Sequence, residues 1–145
     1  MNGTTAFGYQ RVTEQSFEQA VLHIREALKA EGFGIITEID AQKTLKEKIG
    51  VEFSPYLILG ACNPKLAHQA LLSDPEIGLL LPCNVLVYVH EGKTHISTMR
   101  PTAFAELVKD NVTFCRLAAQ AEELLKKAVD AAAKNVKKMN GIGGK

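Results

Sequence analysis

Residues 60–88 read GACNPKLAHQALLSDPEIGLLLPCNVLVY, and the reading of this stretch decides the fold. Gly60 and Ala61 close a compact apolar run of strand length, residues 56–61, that begins just after Pro55. Asn63 is suited to cap a helix and Pro64 to its first position, after which Leu66, Ala67, Ala70 and Leu71 recur at helical spacing. Asp74 and Pro75 stop that helix. Residues 83–90 then predict a strand, with Val85, Val87 and Val89 on one face and Leu86 and Tyr88 making the other largely apolar as well. A strand that is apolar on both faces belongs inside a sheet.

Upstream, residues 6–13 alternate around Phe7, Tyr9 and Arg11 and predict a first strand. Ser16 and Gln19 have the spacing of a capping box. The helix they open presents Phe17, Ala20, Val21, Ile24, Ala27 and Leu28 on one face, and Gly32 is its expected left-handed cap. Residues 33–39 alternate as a half-buried strand. Asp40 can cap a short lysine-rich helix over 41–48, which has only Leu45 and Ile49 as anchors and is expected at the surface.

Downstream, Glu91, Gly92 and Lys93 form a turn into a strand over 94–100, a hairpin whose second strand is the more polar and is expected nearer an edge. A helix follows over 101–111. From Phe114, the positions of Leu117, Ala121, Leu124, Leu125, Ala128 and Val129 sustain another to about residue 138, and spacing leaves open whether Asp110, Asn111 and Thr113 interrupt the two. A terminal helix this long is expected to project past a small sheet and offer its apolar face to a second copy, so a homodimer is expected. The glycine-rich residues 140–145 read as a flexible tail. The expected architecture is one α+β domain over residues 1–139, with a core over about 6–110 and an added helix over about 112–138. Its sheet has about five strands in β-α-β-β-β-β-α order, the last two joined as a hairpin and the other strand directions left open by spacing.

Composition narrows the function classes. At 145 residues and 46% hydrophobic, the chain suits a single buried core. Its 17 Lys and Arg against 16 Asp and Glu nearly cancel, which argues against a nucleic-acid backbone or an anionic membrane as partner. The longest apolar run, residues 77–89, is interrupted by Pro82, Cys83 and Asn84 and falls short of the roughly 20 residues of a membrane helix. The N-terminus carries no basic start and no apolar core of signal length, which predicts a cytoplasmic protein. In that setting three irregularly spaced cysteines read as reduced thiols. No GxGxxG or GxxxxGK follows any expected strand, so phosphate-loop nucleotide binding has no support, and whether any other cofactor binds is unknown from the sequence.

The chemistry concentrates in the opening stretch. Cys62 lies at the start of the helix capped by Asn63, where free amides and the helix dipole favour a thiolate; the bland alternative is a small buried strand-end residue. His68, six positions after Cys62, could lean back toward the helix start, or be merely exposed or packed. Cysteine and histidine together could act as nucleophile and base or as metal ligands, yet there is no CxxC, no HxxxH and no obvious third orienting group. Whether Cys83 joins them depends on strand direction: antiparallel neighbours bring Cys62 and Cys83 to one end of the sheet, whereas parallel ones separate them by a strand length. Cys115, beside Phe114 and Leu117, reads as core. His23, His90 and His95 read as structural or solvated.

Gly32 and Phe33, the cluster of Cys62, Asn63, Pro64 and Ala67, the pair Asp74 and Pro75, and the run from Leu80 through Pro82, Cys83 and Asn84 to Val85 together resemble the small prokaryotic family known as domain of unknown function 302. The resemblance covers about residues 20–101 and leaves the terminal helix outside. It implies a compact α+β fold with a mainly antiparallel sheet, commonly paired subunits, and the two thiols at one end of the sheet. It implies no activity. Three readings follow. The first is a non-catalytic homodimeric module holding a small ligand, contacted by Cys62, Asn63, His68, Cys83 and Asn84, or a soft metal ion held by Cys62, His68 and Cys83. The second is a thiol enzyme or redox protein with Cys62 as nucleophile, His68 as base and Cys83 as resolving thiol. The third is a purely structural dimerisation module.

Overall fold

The computed structural model describes residues 2–134. The order of elements is β1 (Gly3–Thr4), β2 (Gly8–Thr13), α1 (Phe17–Ala30), β3 (Gly34–Asp40), α2 (Ala41–Ile49), β4 (Tyr56–Cys62), α3 (Pro64–Ser73), β5 (Cys83–His90), β6 (Lys93–Met99), α4 (Pro101–Ala105) and α5 (Val112–Ala133), with 3-10 turns at Pro75–Leu80 and Glu106–Val108. The expected α+β architecture is present. Its sheet has six strands in the order β1-β2-β6-β5-β4-β3, every neighbouring pair antiparallel; the additional strand is the two-residue β1, which pairs with β2.

Local chemistry sets the boundaries. Ser16 and Gln19 form the reciprocal capping box of α1. Asp40 caps α2 and Asn63 caps α3, with Pro64 at the first helical position. Gly32, at φ 90°, turns the chain out of α1 in the left-handed region that a side chain disfavours. Asn111 ends the ambiguity after α4: its side-chain oxygen accepts from the Phe114 amide at 2.9 Å and starts α5, so the helix expected over 101–111 is a short helix, a 3-10 turn and a break. The expected continuation of α5 to residue 138 and the tail at 140–145 lie outside the described residues.

Cross-strand pairs share a face, and the register assigns Leu59, Val85, Val87, Ile96 and Thr98 to one side of the sheet. Against this side pack Ile24 and Leu28 of α1 and Leu125 and Val129 of α5, all fully buried. Burying each such side chain contributes about 1.5–3 kcal/mol, so this layer is the principal source of stability. The helix α5 therefore spends its apolar face within the chain, on α1, α4, α3, β2 and β6, and does not project unpartnered. β5 is central, as its two apolar faces require. β6 is not at an edge: β2 pairs along its whole length, and its polar Thr94, His95 and Thr98 are buried. The surface reading of α2 holds, since none of its residues is buried.

Candidate functional site

β4 and β5 are antiparallel with Ala61 opposite Cys83, so Cys62 and Cys83 do stand at one end of the sheet. β4 ends there, β5 begins there, and β6 ends there at Met99. Beyond these strand ends lies a cavity of about 340 Å³, walled by α3, the Pro75–Leu80 turn, α4 and α5. Leu66, Phe104, Phe114 and Leu117 make its apolar walls, and Cys62, Asn63 and Cys83 border it from the sheet side.

Each wall has an identifiable support. The Asn63 side-chain oxygen accepts from the Leu66 amide at 3.3 Å, which fixes the start of α3. At the other end of that helix, Asn111 donates to the Ser73 hydroxyl at 2.9 Å, tying α3 to the start of α5. Gly60 lies beneath the site beside the bulge in β3 that falls between Ile35 and Thr37. A Cβ at Gly60 would sit 2.0 Å from Thr37 Oγ1 and 2.9 Å from Pro82 Cγ, so only glycine permits this approach. The Leu81–Pro82 peptide is cis, and β5 starts at the next residue.

α4 contributes Pro101 and Phe104 to the cavity but has no cap from Arg100. Its cap is remote. Glu122 of α5 accepts from the Thr102 amide at 3.0 Å and from the Thr102 hydroxyl, and pairs with Arg100 at 3.1 Å and Lys126 at 3.2 Å. Burial alone would raise the Glu122 pKa; the Thr102 hydroxyl and amide, Arg100 and Lys126 outweigh it and bring it down to about 2. The sequence analysis passed over this carboxylate; its one signal there is a charge on the apolar face between Ala118 and Leu125.

The two thiols differ. Cys83 is buried, and that burial, together with the neighbouring Cys62, pushes its pKa up to about 11, so it is a neutral thiol at physiological pH. Cys62 is half-buried, and both are free. His68 is exposed and is not among the residues bordering the cavity: α3 turns Leu66, Ala67, Ala70 and Leu71 inward, and His68 falls outside that face. Asn84, opposite Gly60, is also exposed and away from the cavity. Among the described residues no group of three or more His, Cys, Asp or Glu is placed to hold a metal ion. Cys115 packs beside the second apolar cluster, which contains Phe114, Leu117 and Ala118.

Two of the remaining three histidines have structural partners. His23 is buried against the Gln15 side chain, whose amide donates to Thr13 and to the Ala132 carbonyl, joining α1 to the end of α5. His95 stacks on Tyr88 at 4.7 Å and meets Gln10 at 3.0 Å, on the sheet face away from α1 and α5. His90 is exposed at the hairpin turn.

Fold and site together define a class: a six-stranded antiparallel α+β domain with helices docked on one sheet face and an apolar cavity, bordered by two thiols, at the sheet's end. The chain belongs to the family described as "Domain of unknown function DUF302", whose model matches residues 9–132 and so takes in nearly all of α5. It is similar to an uncharacterized conserved DUF302 protein from Bacillus stearothermophilus known by crystal structure, with 30% sequence identity and a TM-score of 0.81 over 88% of this chain and 99% of that one. No curated protein matches the chain. Among the described residues, no helix is long and apolar enough to cross a membrane.

Proposed function

We propose that this domain is a non-catalytic binding module that takes a small, predominantly apolar ligand in the cavity at the end of the sheet. The observation that carries the reading is the cavity itself, at about 340 Å³ inside the range of small-molecule sites, with apolar walls and a few polar groups gathered on one side. Asn63 and the two thiols orient the ligand; Phe104, Phe114 and Leu117 supply contact area. The thiol-enzyme reading has weaker support, because His68, the base it needs, does not face the cavity. A metal at Cys62, His68 and Cys83 lacks its third ligand for the same reason.

Binding of the environment-sensitive apolar probe N-phenyl-1-naphthylamine tests the reading. Probe at about 100 times its Kd should stabilise the fold by about 2.7 kcal/mol in a thermal melt. Ala67→Trp, which fills the cavity from α3, should abolish both the fluorescence and the shift while leaving the fold intact. Equal probe binding by wild type and the filled variant would place the probe elsewhere and sink the proposal.

The domain acts as a homodimer in this proposal, through the sheet face that α1 and α5 leave free. That face carries a row of rings, Tyr56 to Tyr88 at 5.2 Å and Tyr88 to His95, flanked by half-buried Ile58 and Leu86, with exposed Phe7 nearby.

A further inference from the structure

We infer that Cys62 and Cys83 form a reversible disulfide that closes the cavity, so that ligand binding is switched off by peroxide; this rests on the ligand-binding reading above. Ala61 and Cys83 face each other across β4 and β5, which puts Cys62 one residue out of register with Cys83 on the neighbouring strand. Adjacent antiparallel strands bring paired Cα atoms to about 4.5–5.5 Å and advance about 3.4 Å per residue, so this diagonal meets the Cα limit of about 7 Å for a disulfide. Mid-strand, such neighbours point to opposite faces. Here Cys62 is the last residue of β4, where the chain turns into α3, and both cysteines border the one cavity.

The chemistry is a two-electron oxidation with hydrogen peroxide as oxidant. Cys62, the more exposed thiol, attacks peroxide: an S–O bond forms, the O–O bond breaks, and one water leaves with a sulfenic acid on Cys62. Cys83 then attacks that sulfur as it gives up its proton; the S–S bond forms, the S–O bond breaks, and hydroxide takes the proton away as a second water. Burial of Cys83 beside the more exposed Cys62 assigns it the resolving step. Joining the two sulfurs draws the start of β5 toward the start of α3. That movement narrows the polar side of the cavity, where Asn63 and Pro82 also stand. Two thiols held beside an apolar cavity are thereby given a use.

The experiment takes the full chain through reduction, peroxide treatment and re-reduction, following peptide mass mapping and N-phenyl-1-naphthylamine binding on the same samples. Oxidation should yield an intramolecular cross-link between the peptides carrying Cys62 and Cys83, remove two of the three free thiols, and weaken probe binding about tenfold or more, with recovery on reduction. Cys62→Ser, whatever its starting affinity for the probe, should show no change in binding on peroxide treatment, and Cys115→Ser, away from the cavity, should bind like the reduced wild type and respond fully. Should Cys83→Ser fail to fold, the Cys62→Ser and Cys115→Ser pair suffices. Absence of the cross-link, a cross-link through Cys115, or undiminished probe binding by the cross-linked protein overturns the switch. Cross-linking in a protein that binds the probe in neither state overturns the cavity reading, and with it the regulation, and so is told apart from failure of the switch alone.

Discussion

Glu122 is the residue on which one cavity wall depends. It is nearly inaccessible, yet it stays ionised because Thr102, Arg100 and Lys126 converge on it from α4, the end of β6 and the next turn of α5. Its folded pKa of about 2 lies below the ordinary 4.5, so the unfolded chain takes up its proton first as pH falls. The stabilisation is complete above about pH 4.5 and is lost progressively as pH drops to about 2. Linkage puts it on the order of 3 kcal/mol. Glu122→Gln should therefore lower the unfolding free energy at pH 7 by about 2–4 kcal/mol and flatten the acid limb of the stability profile. Urea titrations between pH 3 and 7 would check this, and parallel profiles for variant and wild type would refute it. Cys83 shows the opposite electrostatic outcome, since its surroundings offer burial without donors and raise its pKa.

At the scale of elements, the β3 bulge, β4 and the Pro82 turn depend on one missing side chain. Thr37 Oγ1 and Pro82 Cγ occupy the space a Cβ at Gly60 would need, from opposite sides. Gly60→Ala should cost about 1–3 kcal/mol through forced displacement of β3 or of the turn, and should also loosen the cavity that the turn walls. Chemical denaturation and probe affinity on the same variant measure both effects; unchanged stability would show that Thr37 and Pro82 move aside freely. The caps and strands were largely readable because they are written in adjacent residues: Ser16 with Gln19, Asn63 with Pro64, and the alternation of residues 83–90. β6 was harder. Its polar residues suggested an edge, but they are satisfied inside the sheet, where His95 finds Gln10 and Tyr88. The short β1 has two residues, too few for periodicity to announce.

For the molecule as a whole, the question is which apolar surface remains after folding. The long terminal helix was expected to supply it, but α5 is consumed against α1 and the sheet, and the sheet face that these helices leave open carries half-buried Tyr56, Ile58, Leu86 and Tyr88. If that face pairs two copies, sedimentation or light scattering should report a dimer, and Leu86→Lys should give a folded monomer because it places an unpaired charge at the centre of the contact. A dimer that survives Leu86→Lys would exclude this face. The family match runs through residue 132 and so takes in α5 to that point, where the resemblance in sequence had ended near residue 101.

The sequence by itself determined most helix and strand boundaries, though not β1 or the break before α5, that one strand is central, and that the reactive side chains cluster in residues 60–88. Those features follow from periodicity and capping, which act over a few residues. Only the tertiary structure decided the strand order, brought Cys62 and Cys83 to one end of the sheet, left His68 outside, and enclosed the cavity with residues from α3, α4 and α5. The reason is physical: Phe104, Phe114 and Leu117 have the same apolar signature whether they fill a core or line a space, and the difference lies in how distant elements meet.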